Sequence, residues 1–476
     1  MTRLMNQGLV IISPIILVRL LSVAEFGRYR EFLLYVSLLS ALAAFGFSTS
    51  LLYFVPARPR GSAQVLRQTL LLTGLSSFSI VALVLALHYF VNASVLGEFA
   101  LPVALYVLLF VNFDVWESWW LAHRRALPVL AYTSGRLVAR MVVVIVAAAL
   151  WHDVWAIIAG LIMLESVRLV GSFIAWRRLQ RDALRDAPCW REQLRYCLPV
   201  GAALALVTFN KYLGNLFVAT MLGAVALAHY TIGTQVQPII TVLRNSLSDA
   251  LLPEMAATST EVRKGAGAGT NDPLSLWRRT TVVSMILLTG AGVVLTRFAH
   301  PLVVTLFSPE YEPAVPVFQI YLLVLLREVF DFGVPLRAIN HTRPIVWSNL
   351  VAIVCNLVCL AILLPALGLT GAVAAFVISR YLEGLYIGRC CLQAYAVPLR
   401  EMANWRDLGK VALAAVLAWP VLLGTFWIDR LGLLGVMLGS SAYLLLFALW
   451  LLVLRVPEVW LLARRVKNSR LTPQKL

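Results

Sequence analysis

The sequence predicts an all-α polytopic membrane protein of about fourteen transmembrane helices, built as two pseudo-symmetric six-helix lobes followed by a C-terminal helix pair. Three observations predict it: a composition too apolar for water, apolar runs separated by alternately basic and cation-poor connections, and a weak internal repeat.

Composition comes first because it removes whole classes of function. Of the 476 residues, 61% are hydrophobic and 13% charged, and the mean hydropathy is +0.84. Soluble domains are about half apolar and a quarter charged, so a soluble globule is excluded. The formal charge of +17 could suggest a nucleic-acid partner. Its Lys and Arg lie in short connections between apolar runs, however, where they set membrane orientation, and no nucleic-acid binding is expected. The cysteines Cys189, Cys197, Cys355, Cys359, Cys390 and Cys391 avoid the outward connections, so no disulfide framework is expected. The six histidines are scattered and match no metal-ligand spacing. Ser22-Val23-Ala24 mimics a signal-peptidase site, but Arg19 and Pro14 interrupt the apolar stretch such a signal needs.

The predicted spans are 6–23, 29–55, 69–91, 100–122, 129–151, 153–175, 198–221, 225–252, 279–299, 313–339, 345–365, 368–389, 408–428 and 433–454. Alternate connections carry Arg58, Arg60 and Arg67, then Arg124 and Arg125, then the arginines of 177–195, and so on to a tail with Arg464, Arg465 and Lys467. The intervening connections are short and poor in cations, except for Arg28 and Arg30 in the first. By the positive-inside rule both termini face the cytoplasm.

This divides the chain into an N-lobe (1–175), a basic interlobe connector (176–197) expected to lie as a helix on the membrane surface, a C-lobe (198–392) and a terminal segment (393–476) with helices thirteen and fourteen. A Gly/Ser/Thr-rich linker occupies 257–273. The repeat is faint. A shift of 201 sets Leu21-Ser22 on Leu222-Gly223 and Tyr29 on Tyr230; a shift of 215 sets Glu165 and Arg168 on Arg380 and Glu383. Parallel six-helix repeats about an axis along the membrane normal build transporters with a central site.

Charges inside a membrane are costly and mark function by default. Near mid-depth stand Arg140, Glu165, Arg168, Lys211, Arg327, Glu328, Asp331, Arg380 and Glu383, with Arg19, Asp114, Glu117, Arg136 and Arg244 nearer the faces. Mutual neutralisation is open for Glu117 with Arg136 and Asp114 with Arg140, at similar depths on adjacent helices. It is equally open within helices for Glu165–Arg168, Arg327–Asp331 and Arg380–Glu383. Lys211 has no acid within four residues and is flanked by Asn210 and Asn215. In the next helix Thr234, Gln237, Thr241, Arg244, Asn245 and Ser248 recur at spacings of three and four. Such a polar stripe, with side chains as large as Gln237 and Arg244, predicts a hydrated cavity. Cations in excess suit an anion, and apolar grooves suit a lipid tail.

Two motifs then point to a family. Arg19-Leu20-Leu21-Ser22-Val23-Ala24-Glu25-Phe26-Gly27-Arg28-Tyr29, with Ala44-Phe45-Gly46, resembles the Arg-x-Leu-Gly-x-x-x-Phe-Gly-x-Tyr junction of the polysaccharide-repeat-unit (O-antigen) flippases of the multidrug, oligosaccharidyl-lipid and polysaccharide (MOP) exporter superfamily. Leu363-Leu364-Pro365-Ala366-Leu367-Gly368-Leu369-Thr370-Gly371-Ala372 is similar to that family's junction of helices eleven and twelve. Ser22 departs from the family's Gly, and helix two lacks an internal basic residue. The resemblance implies that an undecaprenyl-pyrophosphate-linked oligosaccharide crosses from the cytoplasmic to the periplasmic leaflet by alternating access, for lipopolysaccharide or exopolysaccharide synthesis. Its partners would be that lipid-linked oligosaccharide, membrane lipids and polymerase or export machinery. No bond is made or broken and no cofactor is needed. Substrate contacts would fall to Arg19, Lys211, Arg244, Gln237, Asn215 and Arg140; coupling to Na+ or H+ would fall to Asp114, Glu117, Glu165 or Asp331. A cation-coupled drug exporter would want an acidic cavity. A polymerase or ligase would need catalytic residues in a sizeable outward loop, and the longest, about 300–312, offers only His300, Glu310 and Glu312.

Overall fold

The computed structural model describes residues 12–57, 61–90, 94–113, 115–180, 190–238, 273–423 and 432–460, with 240–241, 244–248, 251–252 and 255 between them. Every regular element among these residues is helical. Among the described residues, nine segments are long and apolar enough to cross a membrane. Residues 12–20 form α1. α2 (Val23–Ala44), α3 (Phe47–Ala57), α4 (Ser62–Phe90), α5 (Ala100–Phe113), α6 (Val115–Ala122), α7 (Ala126–Trp151), α8 (Val154–Gln180) and α9 (Trp190–Gly233) follow. The chain divides into two compact units, residues 1–231 and 232–476.

In the first unit, backbone contacts set the shape. α2 lies against α9 at two places where no side chain intervenes. A Cβ on Gly27 would fall 2.0 Å from the Ala224 carbonyl oxygen, and one on Gly201 would fall 2.3 Å from that of Phe45. Only glycine permits such approach. The Phe-Gly motif therefore serves as a contact point between helices. Between these two contacts the middle of α2 stands off from α9, and the gap becomes a cavity.

The two longest helices are hairpins. α9 contains Gly223 at φ 84°, and Tyr230 Oη lies 2.6 Å from where a Gly214 Cβ would be. Sixteen residues of straight helix would separate them by about 24 Å, so the chain folds back at Gly223. Gly368 (φ 60°) does the same within α15 (Arg343–Tyr395), where a Cβ on Gly371 would meet the Leu363 carbonyl oxygen at 1.9 Å. The repeat thus places a break at matching points: Ser22 with Gly223, and Asp153 with Gly368. Ser22 replaces glycine without strain because its φ is −64°, and its hydroxyl caps α2 by accepting from the Glu25 N–H at 3.2 Å.

The second unit continues with α10 (Pro273–Arg297), α11 (Ala299–Phe307), α12 (Ala314–Leu322), α13 (Val324–Glu328), α14 (Gly333–Ala338), α15, α16 (Trp405–Ala418) and α17 (Leu433–Val453). The terminal helices share one apolar core with α10 and α15, in which Trp277, Phe298, Val411, Ala414, Tyr443 and Phe447 are buried.

Two expected helices are broken, each four residues before a proline. The predicted span 225–252 opens into a turn at 234–236. Pro238 cannot donate to Thr234, whose carbonyl is instead taken by the Gln237 N–H at 3.0 Å. The predicted span 313–339 opens at 330–332, because Pro335 frees the carbonyl of Asp331, which accepts from Trp277 Nε1 at 3.0 Å. Phe330 lends its carbonyl to Arg327 Nη1 at 3.2 Å. In a membrane such freed groups must be satisfied internally, and here they are. The expected surface helix is also redrawn: 176–180 extend α8 and 190–197 begin α9, while 181–189 lie outside the described residues, as does most of the 257–273 linker.

Gly27→Ala should destabilise the protein by about 1–3 kcal/mol or more, because the new methyl overlaps backbone rather than a flexible side chain. Gly409→Ala, a helical position with nothing within 4 Å, should be neutral or stabilising by about 1 kcal/mol. Thermal unfolding in detergent compares the two.

Candidate functional site

The gap beside α2 is a cavity of about 310 Å³ in the first unit. Leu33, Ser37 and Ser40 reach it from one face of α2, Tyr106 from α5, Arg140 from α7, and Thr208 with Lys211 from α9. No carboxylate stands among its described lining residues. Lys211 is exposed, with its ammonium 5.0 Å from the centre of the Tyr212 ring. A second chamber of about 190 Å³ shares Leu33 and Arg140 with the first and is walled by Pro14, Leu17, Leu137 and Met141, with Arg30 as its other cation. Arg140 therefore borders both chambers, and the second, although walled mainly by aliphatic side chains, also contains Tyr29 and Arg30.

Several other charges of this unit are paired. Arg168 is bonded to Glu165 on its own helix and to the Tyr132 hydroxyl at 2.7 Å. Arg136 lies 3.8 Å from Glu117. Arg28, the exception to the charge alternation, donates to Glu98 at 2.8 Å and to Glu25 at 3.0 Å, so it is held by two carboxylates.

In the second unit five charged side chains form one chain of contacts. Arg244 reaches Glu328 at 2.7 Å, Glu328 reaches Arg380 at 2.6 Å, Arg380 reaches Glu383 at 2.8 Å, and Glu383 reaches Arg327 at 3.0 Å. Glu328, Glu383 and Arg327 are nearly solvent-free. Gly384 makes room for Arg327: a Cβ there would be 3.0 Å from its Nε. Asp331 accepts from Ser248 at 2.5 Å and from the Gly333 N–H at 3.1 Å. With three arginines and three acids the cluster is neutral. The pocket beside it, lined by Arg244, Ser248, Trp277 and Asp331, has about 20 Å³ and fits one water.

The profile of the polysaccharide biosynthesis protein family matches residues 1–259, more than half of the chain. The chain belongs to that family. No curated protein matches it by sequence. Among solved structures, it is similar to a lipid II flippase, MurJ, in an inward closed conformation, with a TM-score of 0.71 at 12% identity, covering 94% of this chain and 98% of that one. It is also similar to a multidrug resistance MATE family transporter of the MOP superfamily in an inward-facing conformation (TM-score 0.58, 14% identity, 82% and 94% covered). A Vibrio cholerae MATE transporter gives 0.53 at 11% identity, with 83% and 93% covered. At these identities the likeness establishes a shared fold.

Within this polysaccharide biosynthesis protein, two of the six residues expected to contact substrate, Arg140 and Lys211, line one cavity. Arg19 lies exposed on α1, and Asn215, half-buried one turn from Lys211, is not part of the cavity wall. Gln237 follows the break at 234–236, its carbonyl accepting from the Thr241 hydroxyl at 2.9 Å. Arg244 stands in the neutral cluster. Of the carboxylates, Glu117, Glu165 and Asp331 have the partners given above; Asp114 lies outside the described residues. Asp331 does not pair with Arg327 as the in-helix spacing suggested, because the break before Pro335 turns it away and Arg327 reaches across to α15 instead. Sequence reading missed Tyr106, Ser40 and Thr208, whose apolar or one-hydroxyl surroundings carry no charge signal. The spacing of Leu33, Ser37 and Ser40 on one α2 face was the available clue.

Glu328→Gln would remove the ion-pair partner that Arg244 touches and leave only the more distant charge of Asp331. It should cost about 3 kcal/mol, the penalty for breaking a buried pair. Glu312→Gln, whose side chain beside His300 is 67% exposed, should cost less than about 1 kcal/mol. Unfolding curves of the two purified variants test the contrast.

Proposed function

We propose that this polysaccharide biosynthesis protein is a flippase that moves an undecaprenyl-pyrophosphate-linked oligosaccharide from the cytoplasmic to the periplasmic leaflet of the bacterial inner membrane. Both termini face the cytoplasm in this reading. The observation that carries it is the cavity with Arg140 and Lys211 on its wall and no carboxylate among its described lining residues. Two cations offset the cost of drawing a diphosphate out of bulk water, because charge-assisted hydrogen bonds replace its hydration. The family and the fold shared with the lipid II flippase support the same reading.

Translocation in this reading is a change of binding and access with no covalent step. A cation-coupled multidrug exporter of the same superfamily would want a net acidic cavity where this one presents cations. Energy coupling to Na+ or H+ would involve the four carboxylates; of the described three, protonation would release Arg136, Arg168 or Ser248 from its present partner.

A deletion strain should accumulate lipid-linked repeat units on the cytoplasmic face. Lys211→Ala and Arg140→Ala should insert normally yet export roughly tenfold to a hundredfold more slowly, the loss expected for one charge-assisted contact each. Export at the wild-type rate by both variants would defeat the cationic-site reading. Radiolabelled polymer at the cell surface is the readout.

A further inference from the structure

The cavity wall contains two polar atoms that nothing in the described protein satisfies. Tyr106 is fully buried, wedged between Phe110 (ring centres 5.8 Å apart) and Phe32 (5.7 Å), and its hydroxyl has no hydrogen-bond partner. Ser40 is 9% exposed, and its hydroxyl likewise has none. Buried hydroxyls are almost always bonded, since an unmet one keeps its full desolvation cost. The other serines and threonines along α2 and α9 follow that rule: Ser37 donates to the Leu33 carbonyl at 2.7 Å and Thr208 to that of Leu204 at 2.9 Å. Ser40 and Tyr106 lack such a partner, and both border the chamber that holds Arg140 and Lys211.

We propose that Tyr106 and Ser40 are ligand-binding hydroxyls, which donate to phosphoryl oxygens held between Arg140 and Lys211 while the first alkyl units of the same molecule occupy the smaller chamber beyond Arg140. The proposal rests on the flippase reading and assigns it a recognition element, the phosphate–alkyl junction. Arg140 is the pivot because it alone among cations borders both chambers. The larger chamber supplies cations and hydroxyls. The smaller has Tyr29 and Arg30 on its wall, and beside them Leu17, Leu137, Met141 and Val144 form an aliphatic side suited to a branched hydrocarbon chain. Recognition at this junction reads the carrier lipid and leaves the sugar outside the contact, so cargoes with different sugars on the same carrier would bind alike.

The test uses the purified full chain in detergent, with thermal unfolding followed against geranyl diphosphate, inorganic pyrophosphate and geraniol. Wild type should be stabilised by geranyl diphosphate at lower concentration than by inorganic pyrophosphate, and least by geraniol. Tyr106→Phe removes one oxygen at constant ring packing, so its unliganded Tm should match wild type while its Kd for geranyl diphosphate rises about fivefold to tenfold. Ser40→Ala should behave the same way and serves if Tyr106→Phe misfolds. Wild-type affinity in both variants would overturn the assignment of the hydroxyls, and if Arg140→Ala still lost binding the flippase reading would survive it. Equal affinity for inorganic pyrophosphate and geranyl diphosphate would overturn the role of the smaller chamber. A wild-type protein indifferent to both diphosphates would overturn this inference together with the reading beneath it.

Discussion

An ionised side chain within hydrocarbon must find either a counter-charge or water, and this protein uses ion pairs in both of its units and a cavity in the first. In the second, Arg244, Arg327 and Arg380 share Glu328 and Glu383 in a nearly dry chain of contacts, with Asp331 close by completing neutrality. In the first, the acids Glu117 and Glu165 are occupied by Arg136 and Arg168, which leaves Arg140 and Lys211 to a cavity. The reversed order of the repeated pair, Glu165–Arg168 against Arg380–Glu383, marks the divergence. Sealing one unit confines the anion-attracting surface to the other.

Backbone demands shape that surface as much as charge does. Glycine contacts hold α2 to α9 at both ends of a stretch, and the cavity is the space that such end-pinning leaves between them. Proline has the opposite effect in the second unit, where it frees carbonyls that Trp277 and Arg327 must then satisfy. The charged side chains there hold an opened backbone as well as one another. Loss of a single arginine accordingly removes two kinds of contact.

Much of the fold was legible in the sequence because hydropathy reports burial in lipid directly. The helical class, the internal repeat and the junction at 19–29 followed from residue type and spacing alone. The breaks at 234–236 and 330–332 were written in Pro238 and Pro335, but a helix-period pattern that continues across a proline disguises the interruption. The charge partners were less legible. Spacing along one helix found Glu165–Arg168 and Arg380–Glu383, whereas Arg244–Glu328 and Arg327–Glu383 are separated by many residues in sequence and depend on which helix lies opposite. Tyr106 was invisible for another reason: an aromatic residue in an apolar helix reads as core until the space around its hydroxyl is known.

The hairpins at His152–Asp153, Gly223 and Gly368 carry a consequence for biogenesis. A reversal completed within one or two residues leaves almost no polar loop to thread across the bilayer during synthesis. Each such pair of helices can leave the insertion machinery as one preassembled antiparallel unit, with its short turn crossing as part of an apolar body. The repeat that shaped the mature fold thereby also sets the grain size in which the ribosome delivers it.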